Sequence, residues 1–106
     1  MVEGVPGLND KQAKGIHALC RQFYVNRLSV FGSAATGGFQ PGVSDYDFAV
    51  TFQKVPSTRL ADQYFGLKES LEALLARPVD LVIDTAVKNR YFRAELDATA
   101  VELYAA

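Results

Sequence analysis

Two aspartates flank a single tyrosine at Asp45-Tyr46-Asp47, at the head of the run DYDFAVTF. In a strand, residues i and i+2 project from one face, roughly 6.6 Å apart along the chain. Two carboxylates placed in this way repel each other unless positive charge sits between them. A pair of divalent cations about 3.5–4 Å apart fills such a gap, and phosphoryl and nucleotidyl transfer use that arrangement. Hard oxygen ligands suit Mg²⁺, which keeps waters and takes its remaining ligands from substrate phosphates. A third carboxylate, Asp80, interrupts the apolar run Val79-Asp80-Leu81-Val82. An unpaired carboxylate is expensive in such a setting. If the two strands are neighbours, Asp80 approaches Asp45 and Asp47 across one strand spacing, roughly 4.8 Å.

Gly32-Ser33 follows directly on the apolar segment that ends at Phe31. A turn without a side chain at Gly32 lets backbone N–H groups approach a phosphate, and the Ser33 hydroxyl can donate to the same group. Small residues from Ala34 to Gly38 keep the approach open. Each feature has a plainer reading when taken alone. Gly-Ser after a strand is often only a turn, Asp-x-Asp is often a solvated strand face, and Asp80 with Asp84 could make one face merely polar. Their order, each beside an apolar strand, favours the functional reading.

The elements that must position these residues alternate between helical and strand patterns, which predicts an α/β (α+β) layered domain. Asn9 or Asp10 caps a first helix to about Tyr24, with Ala13, Ile16, Cys20 and Phe23 at helical spacing. A short strand runs from Arg27 to Phe31, and the stretch from Gly32 to Val43 reads as a loop. A second strand, Asp45 to Phe52, alternates: Tyr46, Phe48, Val50 and Phe52 on one face, and Asp45, Asp47, Ala49 and Thr51 on the other. Pro56 and Ser57 introduce a helix to about Ala76 with the stripe Leu60, Tyr64, Leu67, Leu71 and Leu74. Gly66 within it costs about 1 kcal/mol relative to Ala, which predicts close packing there. A third strand spans Pro78 to Ile83. The pattern predicts a last helix over Lys88 to Tyr104, with Phe92, Leu96, Ala100 and Leu103 as its apolar row.

With 106 residues the chain has the size of one domain, so residues 1–106 are taken as a single unit. The formal net charge is −1 and the cations are scattered from Lys11 to Arg93, which argues against a nucleic-acid partner held by bulk electrostatics. One cysteine, Cys20, excludes an intramolecular disulfide and reads as a core thiol. No apolar run approaches the length of a signal peptide's core or a membrane span, so a reducing, cytoplasmic compartment is expected. His17, the sole histidine, reads as a satisfied or surface residue, and no His/Cys cluster suggests zinc. The five tyrosines fall mostly on apolar rows and read as core or interface.

The run Phe31 to Val50, FGSAATGGFQPGVSDYDFAV, resembles the signature of the minimal nucleotidyltransferases (MNT) of the DNA polymerase β superfamily: Gly-Ser, a spacer, then Asp-x-Asp. The later VDLVI is similar to that family's third-carboxylate strand, and KNRYFRAELDATAVELY to its closing helix. The likeness runs from about Leu28 onward. It implies a small mixed sheet of three or so strands with helices packed on it. It implies that Asp45 and Asp47 hold two Mg²⁺ ions. Asp80 would hold one of them and help deprotonate an attacking hydroxyl, and Gly32 and Ser33 would bind the β,γ-phosphates of ATP. Thr36 stands where many relatives carry an arginine, which removes a cation from the triphosphate cradle. The spacer between Ser33 and Asp45 is also one residue longer than is common.

The resemblance further implies an antitoxin that transfers AMP from ATP to a tyrosine of a partner HEPN-type toxin. Two alternatives stay open. The chain could mask a partner protein without catalysis, or could act on a small molecule alongside a separate helical protein. Neither the acceptor, the base preference nor a homo- or hetero-oligomeric state follows from the residues.

Overall fold

The computed structural model of the protein describes residues 8–32, 35 and 45–106. Helix α1 spans Asp10–Gln22. Its capping box is complete: the Asn9 side chain accepts from the Gln12 N–H at 2.8 Å, and Gln12 accepts from the Asn9 N–H at 3.1 Å. Strand β1 follows at Val25–Phe31, strand β2 at Tyr46–Phe52, helix α2 at Leu60–Leu75 and strand β3 at Val79–Ile83. A single 3₁₀ turn at Asp84–Ala86 leads to helix α3 at Arg90–Thr99, capped by the Asn89 side chain, and then to strand β4 at Val101–Ala105.

The strands form one mixed sheet in the order β3-β2-β1-β4. β1 pairs antiparallel with both β2 and β4, whereas β2 and β3 run parallel. Parallel neighbours need a crossover, and α2 supplies it. One face of the sheet carries Leu28, Val30, Tyr46, Phe48, Val50, Val79 and Leu81 against Ile16 and Cys20 of α1 and Leu67, Leu71 and Leu75 of α2. The other face carries Phe31 and Ala49 against Leu96 of α3, with Val82, Val87 and Phe92 packed alongside. Cys20 is fully buried, and burial pushes its thiol up to about 12, so it stays a neutral core group.

Several expectations need correction. The predicted last helix ends at Thr99, and Ala100 turns to extended backbone with ψ 132°. Residues 101–105 then form a fourth strand where a helical row was expected. The row Leu96, Ala100, Leu103 satisfies a helix on paper. However, Thr99 turns its hydroxyl back onto the Glu95 carbonyl at 2.9 Å, and the open edge of β1 recruits the segment that follows. In α2 the buried row is Gln63, Leu67, Leu71 and Leu75, whereas Leu60 is 52% exposed. Tyr24 and Tyr91 are exposed rather than core. The close approach expected at Gly66 is present, because a Cβ there would meet the ring of Phe23. His17 is satisfied: its Nε2 lies 2.9 Å from the Leu103 carbonyl oxygen, beside an irregularity in the β1–β4 pairing.

Candidate active site

The parallel pairing of β2 with β3 sets Asp47 opposite Asp80. Period-two alternation turns Phe48 and Leu81 into the α1/α2 core and leaves both carboxylates on the α3 face. There the Asp80 carboxyl lies within hydrogen-bonding reach of Asp47. Burial pushes Asp47 up to about 6, and the Asp80 charge and hydrogen bond, then the charges of Asp45 and Glu95, push it the same way. Two carboxylates set side by side in this way are a donor set suited to a hard cation, because the cation would relieve their repulsion.

Asp45 stands just before β2 and is turned outward. Its Oδ1 accepts from the Arg77 guanidinium at 3.2 Å, with about half of the side chain exposed (51%). As the side chains stand, no group of three His, Cys, Asp or Glu among the described residues closes on a single point. The structure thus brings Asp47 and Asp80 together, with Asp45 one strand step away on Arg77.

Gly32 closes β1 with φ 70°, in the left-handed region that favours glycine. A Cβ at this position would lie 2.7 Å from Asp47 Oδ2, so the glycine is what allows the strand end to approach the carboxylate. Its N–H donates to Thr99 Oγ1 at a long 3.4 Å, which ties the turn to the end of α3. Ser33, expected to bind phosphate, lies outside the described residues, as does Thr36.

Gly32, Asp47 and Asp80 line a cavity of about 390 Å³ together with Phe31, Tyr64, Lys68, Leu81, Val82, Phe92 and Glu95. Sequence reasoning missed Lys68, Glu95 and Thr99. Glu95 and Thr99 share the sheet-facing side of α3 with Phe92 and Leu96, and nothing in their spacing marks them as site residues. Tyr64, expected at the core or an interface, packs against the α1/α2 core, and its hydroxyl donates to the Leu81 carbonyl at the edge of β3.

The model of the nucleotidyltransferase domain matches residues 13–101, from α1 to the first residue of β4. The chain belongs to the nucleotidyltransferase domain family. It is 38% identical over 71 residues to the protein adenylyltransferase MntA of Thermococcus cleftensis, a match that covers 67% of this chain and 68% of that one. A solved structure assigned as a minimal nucleotidyltransferase superposes with a TM-score of 0.69 at 30% identity, covering 86% of this chain and 88% of that one. The fold also recurs, with a TM-score of 0.63 at 19% identity over 93% of this chain and 74% of the other, in the complex of a tri-AMPylated Shewanella oneidensis HEPN toxin with its MNT antitoxin. The chain is therefore a nucleotidyltransferase enzyme, with four strands in its sheet where the resemblance implied three or so. Among the described residues no helix is long and apolar enough to cross a membrane.

Proposed function

We propose that this nucleotidyltransferase transfers AMP from ATP, bound with two Mg²⁺ ions, to a tyrosine hydroxyl of a HEPN-type toxin and acts as its antitoxin. The observation that carries the reading is the register of β2 on β3, which sets Asp47 and Asp80 side by side next to the Gly32 turn. Asp45, Asp47 and Asp80 are the residues that would hold the metal. When bound, Mg²⁺ supplies charge neutralisation at the phosphates and favours ionisation of the acceptor hydroxyl.

The rest falls to the chain's own groups. Gly32, without a side chain, lets the end of β1 and a phosphate tail come close to Asp47. Asp80 accepts the proton of the attacking hydroxyl. The oxygen bonds to the α-phosphorus, the α–β phosphoanhydride bond breaks, and pyrophosphate leaves with its electron pair. Phe31, Val82 and Phe92 give the cavity an apolar wall on the α3 side. The MntA name of the relative from Thermococcus cleftensis and the AMPylated toxin in the complex with the like-folded antitoxin support the choice of reaction and partner.

A second reading, masking of a partner without catalysis, draws on the commitments of two site groups: Asp45 to Arg77 and the Gly32 N–H to Thr99. The two readings separate in one experiment. α-Labelled ATP and Mg²⁺ are incubated with a co-expressed HEPN-type partner and wild-type protein, Asp45→Asn or Asp47→Asn. We expect label on the partner with wild type and a loss of at least about 100-fold in either variant. Neutralisation that persists in variants unable to transfer label would favour masking, and full transfer by either variant would overturn the metal assignment.

A further inference from the structure

The stretch of sequence from Gly32 to Asp45 contains no lysine or arginine. Among the described residues that line the cavity there are three carboxylates, Asp47, Asp80 and Glu95, and one cation, Lys68. A nucleoside triphosphate needs more positive charge at its tail than such a lining offers without that lysine.

Lys68 comes from α2, which wraps the outer edge of β3. Tyr64, Lys68 and Glu72 lie at i, i+4 and i+8 on one row of that helix. The Tyr64 hydroxyl donates to the Leu81 carbonyl, and Glu72 Oε2 accepts from the Val79 N–H at 3.0 Å. These two contacts hold the row against the outer edge of β3, with Lys68 between them and lining the same cavity as Asp80. Its own partner is Glu72 Oε2 at 3.4 Å, a long ion pair with about a third of each side chain exposed (32% and 34%). Because Glu72 keeps the Val79 N–H, Lys68 can leave without stranding a charge. Its four-carbon stem then lets the ammonium swing into the cavity.

We propose that Lys68 is the side chain that binds the triphosphate tail of the nucleotide, a role brought to the site from α2 rather than from the loop. The inference rests on the ATP-dependent reading above. An edge-sealing role for Lys68, through its pair with Glu72, is the competing account.

The test is equilibrium titration of the purified protein with Mg·ATP and, separately, with AMP, for wild type, Lys68→Gln, Lys68→Arg and Glu72→Gln. Thermal unfolding of each variant verifies that it is folded. We expect Lys68→Gln to weaken Mg·ATP by about tenfold or more, the scale of a charge-assisted hydrogen bond. AMP affinity should stay unchanged, Lys68→Arg should recover most of the loss, and Glu72→Gln should bind Mg·ATP at least as tightly as wild type. Mg·ATP binding by Lys68→Gln equal to wild type overturns the inference. So does an equal loss in Glu72→Gln, which would assign Lys68 to the strand edge. Wild-type protein that binds no Mg·ATP at all would instead overturn the function proposed above, and this inference with it.

Discussion

Asp47 holds its proton to about pH 6 in the folded chain, against roughly pH 4 for an unperturbed aspartate. Between those values the folded state binds more protons than the unfolded state. The metal-free protein therefore loses stability as pH rises from about 4 to about 6, and the loss persists above that. Asp47→Asn removes the titration. With metal chelated, this variant should melt about 4 °C above wild type at pH 7.5, for roughly 1 kcal/mol after solvent screening, and level with it near pH 4. A gap of the same size at both pH values would show that a different effect is responsible. At this scale the sequence made the neighbourhood of Asp47 and Asp80 legible, because the strand period fixes their face, but not the outward turn of Asp45 to Arg77. It did not show Lys68, Glu95 or Thr99, since what brings a helix residue to a cavity is the packing of the helix, and a single lysine or glutamate on a helix is ordinarily solvated.

α2 contains two backbone positions with opposite demands. Ala76 ends it at φ 55°, ψ 33°, a left-handed cap where glycine is favoured. Gly66, in the middle, lies against the ring of Phe23. We expect Ala76→Gly to stabilise the protein by about 0.5–1 kcal/mol. Gly66→Ala should destabilise it by roughly 1–2 kcal/mol, despite the better helix propensity of alanine, because the ring has to move. Urea denaturation of both variants checks the pair, and a Gly66→Ala protein more stable than wild type would show that Phe23 yields freely.

The sequence predicted helix α2 to within a few residues and misread its buried row at Leu60, which is exposed. The hydrophobic stripe tells that a helix is amphipathic, whereas the exact face depends on where Gln63 finds its carbonyls, and its Nε2 donates to Phe23 at 3.1 Å and Gln53 at 3.3 Å. β2 was legible because its alternation is clean. β4 was not, because Leu96, Ala100 and Leu103 repeat at helical spacing and the strand exists by virtue of an edge formed far away in the sequence.

The whole molecule is organised around β1, which is flanked by β2 and β4. Its hydrogen bonds to β4 run from Val30 opposite Val101 to Arg27 opposite Ala105, and the Ala106 N–H reaches the Asn26 carbonyl at 2.8 Å. Removal of residues 101–106 should leave β1 as an unprotected, largely apolar edge. We expect such a truncation to associate at micromolar concentration in size-exclusion chromatography, where the intact chain keeps that edge covered. A monodisperse truncated protein with unchanged thermal unfolding would refute this role for β4.

The same arrangement bears on how the protein is made. On the ribosome the second neighbour of β1 is translated about seventy residues after β1 itself. At about 5–20 residues per second the interval is roughly 4–15 s. For that time the nascent chain presents a bare strand edge of β1 to whatever surrounds it, until β4 arrives to cover it.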